Sequence, residues 1–207
     1  MPNQYDTDPT LVTTADDVAR IHHTMATQVE RINANKTLND HARRVYIARA
    51  YATARDQATA LREKAEQQVR DRQARLEKQL YGAAGSNDPG AVLARRDAHE
   101  RAAQLDDPRE ASAALKRAER DGDTSMAQAI AARAVEWGWG DLINEYAATR
   151  PAWAGDMRAL QELPDIDSGP AKLRAAIAYG VPQPSELNGL PDYSVNSLAA
   201  ADLGDQQ

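Results

Sequence analysis

The chain has 207 residues, a formal net charge of −6, and neither Cys nor Phe. Without Cys there is no disulfide framework and no thiolate metal site, the acidic balance argues against bulk nucleic-acid binding, and no apolar run approaches the ~20 residues that span a bilayer. Hydrophobic residues reach 42% but aromatics only 5%, and much of the apolar content is Ala, so a thin core of closely approaching helices, or one completed by partners, is expected.

Residues 1–13, with Pro2 and Pro9, read as an irregular arm. They lack the basic and apolar regions of a secretory signal, which sets the expectation of a soluble, cytoplasmic product. Thr14 offers an N-cap, with Asp16 and Asp17 in the first turn. Val18, Ile21, Met25, Val29 and Ile32 then follow at steps of three and four, predicting an amphipathic helix that ends near Asn35.

Residues 38–81 contain no Gly and no Pro and are dense in Ala, Arg, Gln, Glu and Leu. These residues cost least in a helix, and Asn39 or Asp40 can cap it. At 1.5 Å per residue the rod spans roughly 65 Å, more than a compact domain of this size can bury along its length. Part of it is therefore expected to project, pair with another chain or lie along a neighbouring surface. Its apolar row reads Ile47, Tyr51, Ala54, Ala58, Leu61, Ala65, Val69, Leu76 and Leu80. The first part steps like a heptad seam; near Val69 the row shifts, and Gln68 and Arg72 take the old seam positions. The rod is net basic, whereas residues 181–207 carry Glu186, Asp192, Asp202 and Asp205 and no basic residue. A head-to-tail contact between copies would be electrostatically favourable.

Gly82, Gly85, Ser86, Asn87 and Pro89 mark a break, read as a domain boundary or hinge, with Asp88 as cap and Pro89 in first helical position. A helix to about Leu105 carries Val92, Leu93, Ala98, Ala102 and Leu105. Shorter helices follow. Asp107-Pro108 starts one and Asp121-Gly122-Asp123 stops it; Thr124 starts the next, with Met126, Ile130, Ala134 and Trp137 on one side. Gly138-Trp139-Gly140-Asp141 and Arg150-Pro151 are further breaks, flanking Leu142, Ile143 and Tyr146; beyond them stand Trp153, Met157, Leu160 and Leu163. A last helix from Pro170 to Tyr179 has Leu173 and Ile177 as its apolar positions and Gly180 as C-cap. The three Trp residues cluster between Trp137 and Trp153, which marks this region as the main core. No period of about 34 residues supports a repeat array. Residues 181–207, with Pro182, Pro184 and Pro191, read as an extended tail whose Leu187, Leu190, Tyr193 and Leu198 order on a partner.

The resulting expectation is an all-α chain. It has an N-terminal arm (1–13), an amphipathic helix and long helix (14–81), a small bundle (88–180) and an extended C-terminal tail (181–207). Ile47, Tyr51, Leu61, Val69, Leu76, Leu80, Leu187, Leu190 and Tyr193 are the candidate protein-interface residues.

Catalytic, cofactor and metal sites are not expected. His22 and His23 are adjacent and leave a helix on different sides, unlike the i,i+4 pair of helical metal sites. Asp97, His99 and Glu100 do not share one face, and His41 sits at a helix start. The carboxylate pairs Asp16-Asp17, Asp106-Asp107 and Asp165 with Asp167 lie at helix starts or loops, where acids are structural. The chain has no GxGxxG, P-loop or GxSxG frame. Contact of the basic stretch 36–80 with nucleic acid is the weaker expectation, because acids interleave its charges and no aromatic row is available for stacking.

One stretch carries a resemblance: Ala118-Glu119-Arg120-Asp121-Gly122-Asp123, Ala131-Ala132-Arg133-Ala134, Trp137-Gly138-Trp139-Gly140-Asp141-Leu142-Ile143-Asn144-Glu145-Tyr146 and Arg150-Pro151. It resembles a helical protein encoded among the structural genes of tailed phages of actinobacteria. The resemblance covers about a fifth of the chain and carries over no catalytic residue. It implies a virion or virion-assembly role, with itself and other structural proteins as partners, and a head–tail connector (adaptor) subunit as the most specific form. A cellular coiled-coil adaptor or regulator, dimeric through the long helix, is the alternative.

Overall fold

The structure, a computed structural model, describes residues 9–82 and 89–203. Among them the regular elements are helices, and the chain divides into two compact units. One unit comprises Met1–Gln68 with Asp165–Gln207; the other is Val69–Pro164.

The first unit is built on α1 (Pro9–Ala34) and the opening part of α2 (Asp40–Tyr81). The helix α1 starts before Thr14, so Thr14 is an internal residue and not its cap; residues 1–8 of the expected arm lie outside the described residues. A short turn separates the helices. Asn35 accepts bonds from the Thr37 N–H and hydroxyl at 3.0 and 2.7 Å, and Asn39 caps α2 by accepting the Ala42 N–H at 2.8 Å. Met25 of α1 packs with Ile47, Ala48, Tyr51 and Ala54 of α2, and Ile21, Val29 and Ile32 pack around them. The spacing read in both helices is thus the spacing that forms this core.

The rest of this core comes from the other end of the chain. After α8 (Gly169–Ala178), a 3-10 turn (Ser185–Leu187) and α9 (Asp192–Ala200) place Leu187 and Val195 fully buried in the same cluster, with Val181, Leu190 and Leu198 beside them. The expectation of an extended tail is corrected here. Leu187 and Val195 contribute roughly 1.5–3 kcal/mol each by burial, and Val181, Leu190 and Leu198 together with polar ties to α1 and α2 add to what holds this polar segment in place.

The second unit contains the end of α2 and α3 (Pro89–Ala102), α4 (Pro108–Asp121), α5 (Thr124–Trp137), α6 (Gly140–Ala148) and α7 (Pro151–Gln161). The central helix is α5, which packs against α3, α4 and α6. Its buried face is Met126, Ala127, Ala129, Ile130, Ala131 and Ala134. Alanine removes little area from water, but it lets neighbouring backbones approach closely, and Leu80, Leu115, Leu142 and Tyr146 fill the remaining space. Asp107 caps α4 by accepting the Arg109 and Glu110 N–H groups. Gly122 and Gly138, each at φ 70°, end α4 and α5 in left-handed caps. In both, the next residue's N–H reaches back five positions, Asp123 to Ala118 and Trp139 to Ala134, as a Schellman motif requires.

Three further expectations are corrected. The division between units falls at 68/69 within α2 and at 164/165, not at the Gly-rich break, whose residues 83–88, Asp88 included, lie outside the described residues. The bundle read as 88–180 therefore gains the end of α2 and loses α8. The three Trp residues do not share one core: Trp153 is buried, Trp139 is half-buried, and Trp137 is exposed, tilted against Trp139 with the Arg133 guanidinium 4.2 Å from its ring centroid. On α8 it is Ala171 that is buried, while Leu173 and Ile177 are exposed; Tyr179, not Gly180, is its C-cap.

Candidate interaction surfaces

The residues singled out as an interface divide by burial. Ile47, Tyr51, Leu76, Leu80 and Leu187 are buried within the chain's own cores and are not available to a partner without unfolding. Leu61, Val69 and Leu190 are half-exposed, and Tyr193 is 76% exposed. Between Ala58 and Leu76 no residue of α2 is buried. The seam there is Leu61, Ala65 and Val69, flanked by an Arg62–Glu66 ion pair at 2.7 Å.

The most elaborate polar arrangement in the first unit holds residues 181–203 against α1 and α2. The Arg49 guanidinium donates to the Ala199 and Ala201 carbonyls at 2.9 and 2.6 Å, supplying a cationic cap at the C-terminal end of α9. Arg55, further along α2, lies 3.1 Å from Asp192 in the first turn of α9. Two arginines of one helix thus bracket α9 at its two ends and fix it antiparallel to α2. Asn33 of α1 donates to Glu186, and His22 bonds the Gly180 carbonyl at 3.0 Å. The backbone N–H of Glu186 and the Asn33 amide hold the Glu186 carboxyl below its usual range. Gln183 donates to the Leu187 and Leu190 carbonyls, so the segment also carries its own internal brace. The acidic end of the chain therefore meets the basic helix within one molecule, through Arg55 and Asp192.

At the Asp165 turn before α8, the Ser168 hydroxyl, followed by the backbone N–H groups of Ser168 and Asp167, hold the carboxyl below its usual range. Asp165 is a turn-forming residue here, as read from its position.

In the second unit Arg133, with a side chain 16% exposed, is a structural hub. It donates to the Ala103 and Leu105 carbonyls just beyond α3, pairs with Asp106 at 3.0 Å, and stacks on Trp137. Arg150 plays a similar part, pairing with Glu119 at 2.8 Å while lying 4.0 Å over the Tyr146 ring, which meets Trp153 edge-on at 5.0 Å. None of these roles was legible in the sequence. The ring contacts with Trp137 and Tyr146 are four residues away, but the carbonyls of Ala103 and Leu105, Asp106 and Glu119 are tens of residues distant, and no local spacing announces them.

Two grooves mark the surface of this unit. One, of about 420 Å3, runs between α3 and α5, where Tyr81, His99, Arg133 and Glu136 meet a floor of alanines. The Tyr81 hydroxyl donates to the Met157 sulfur at 3.6 Å, and burial, then Glu77 and Glu136, push its pKa up. The other, of about 560 Å3, lies between α4 and α6, where Glu145 accepts from Ser112 at 3.0 Å and pairs with Lys116 at 3.3 Å. In the first, Arg133 and Glu136 already pair with each other; in the second, Lys116 and Glu145 do. Among the described residues no cluster of three or more His, Asp or Glu is arranged to hold a metal, and no helix is long and apolar enough to cross a membrane.

No family model matches the chain, and neither do curated proteins or solved structures.

Proposed function

We propose that this protein is a non-enzymatic structural protein that works by helix packing within a larger assembly, with further copies of itself and other structural proteins as partners. The observation that carries the reading is how its side chains are used. Four arginines serve as helix-end caps or helix-to-helix ties: Arg49, Arg55, Arg133 and Arg150. Large apolar side chains are meanwhile left in solvent: Tyr46, Leu173, Ile177 and Tyr193 in one unit, Val92, Leu93 and Trp137 in the other. Exposed apolar positions of this kind are what an assembling subunit offers its neighbours.

The resemblance of residues 118–151 gives the proposal its specific form, a subunit of a tailed-phage particle such as a head–tail connector, assembled in the host cytoplasm and retained in the virion. Sedimentation and light scattering of the purified chain test the general reading, with a discrete oligomer as the expected result. Mass spectrometry of purified particles tests the specific one. A chain that stays monomeric at high concentration and binds no particle component overturns it. A dimer through the long helix remains the competing reading, but Ile47, Tyr51, Leu76 and Leu80 are already covered within one chain. Only Leu61, Ala65 and Val69 are left to pair, so a dimer that dissociates on L61D/V69D would favour that reading.

A further inference from the structure

Residues 181–203 have the properties of an element that can change owner. They are tied to α1 and α2 by side chains, through Asn33 with Glu186, Arg55 with Asp192, and Arg49 with the end of α9. They carry the two fully buried plugs, Leu187 and Val195. Removing them would uncover Met25, Ile47, Tyr51 and Ala54, an apolar face that water does not tolerate bare. Their connection to the rest of the chain is thin. Residues 180–184 read Gly-Val-Pro-Gln-Pro, a stretch that cannot continue a helix and holds its own extended course. The helix before it, α8, has one buried residue, Ala171.

That same helix leaves Leu173 and Ile177, one turn apart, 63% and 73% exposed. When a terminal element is exchanged between two copies, the hinge regions of both copies come together and create a contact absent from the monomer. An apolar pair beside the hinge is what such a contact would use.

We propose that residues 181–203 are an exchangeable strap. The α1–α2 face that they cover within one copy accepts the same residues from a second copy, and the two α8 helices meet through Leu173 and Ile177. The occupant of the face is thus this chain's own C-terminal segment, supplied in cis or in trans. The proposal rests on the assembly reading above and names the contact through which assembly proceeds. Each tie broken in cis is remade in trans, so the α8 contact is what offsets the freedom lost when two copies associate.

The chain has no Cys, so introduced thiols report unambiguously. One preparation carries N33C and another E186C; they are mixed, refolded together, concentrated and treated with a short bismaleimide. The expected result is a covalent heterodimer on a denaturing gel. The double variant N33C/E186C, diluted before treatment, is expected to link within one chain, which confirms the docked position. A mixture of K116C with E186C gives the background for linking through an exposed thiol that is not part of the α1–α2 face. L173D/I177D placed in both partners is expected to reduce the heterodimer by about tenfold or more, the factor that follows from losing about 1.4 kcal/mol of association energy, with the intramolecular link unchanged. A mixed sample that forms oligomers yet links no more than the K116C background overturns the exchange and leaves the assembly reading standing. A chain that never oligomerises overturns both. Failure of the double variant to link overturns the docked strap itself.

Discussion

Arg133 shows how a single side chain can do the work of several local signals. The helix α3 has no glycine at its C-terminal end; Arg133 of α5 instead donates to the carbonyls of Ala103 and Leu105. Its guanidinium is mostly withdrawn from water, and charge-assisted bonds of this kind contribute more than neutral ones. Replacing Arg133 with Met keeps much of the packing against Trp137 but leaves those carbonyls unpaired. A loss of about 2 kcal/mol is expected. It is read as a lower urea midpoint by Trp fluorescence, which reports this unit because all three Trp residues lie in Val69–Pro164. Lysine in the same place should restore little, since its point charge cannot span two carbonyls and stack on a ring at once. Gly138 makes a second residue-scale case. At φ 70° a Cβ meets no neighbouring atom, so the cost of G138A is conformational alone, about 1 kcal/mol.

At the scale of elements, the fold was legible wherever the determinants are local. The helical class, the extent of α2, a cap at Asn39 or Asp40, the helix start at Asp107, and the stops at Gly122 and Gly138 all follow from nearby residues. What escaped depends on long-range pairing. The composition of residues 181–203 is polar, and nothing near them shows that α1 and α2 hold an apolar face and two arginines at matching positions. For the same reason Ile47 and Tyr51 read as a seam for another chain when they face Leu187 and Val195 of their own. This segment also carries a pH prediction. The backbone N–H of Glu186 and the Asn33 amide hold the Glu186 carboxyl below the usual glutamate range in the folded chain. A depressed carboxylate contributes stability above its unfolded pKa, and that contribution is lost as pH falls through the folded value. Hydrogen exchange in α9 should therefore become less protected as the pH falls through and below the ordinary range of a glutamate carboxyl. E186Q should abolish that limb of the profile while leaving the α5 amides unaffected. An α9 protection profile identical in E186Q and the parent chain would dissociate Glu186 from the docking.

For the whole molecule, the question is whether two units that share one helix unfold as one. The helix α2 is continuous from Asp40 to Tyr81, yet no residue between Ala58 and Leu76 is buried. A helix of that length in water is marginal, because its stability in proteins comes from packing an apolar face. Disorder in the first unit can therefore fray α2 up to the point where Leu76 and Leu80 dock, and stop there. The substitution L187D places a charge in a fully buried site of the first unit, where a lone charge costs more than the segment gains from its remaining contacts. Far-UV circular dichroism at room temperature should then show a loss of helix. The Trp-monitored urea midpoint should stay where it is in the parent chain, because Leu80, Leu115, Ile130 and Tyr146 keep their neighbours. A midpoint that falls along with the helix signal would mean that α2 transmits the damage through its exposed stretch, and the two units would then be one cooperative body.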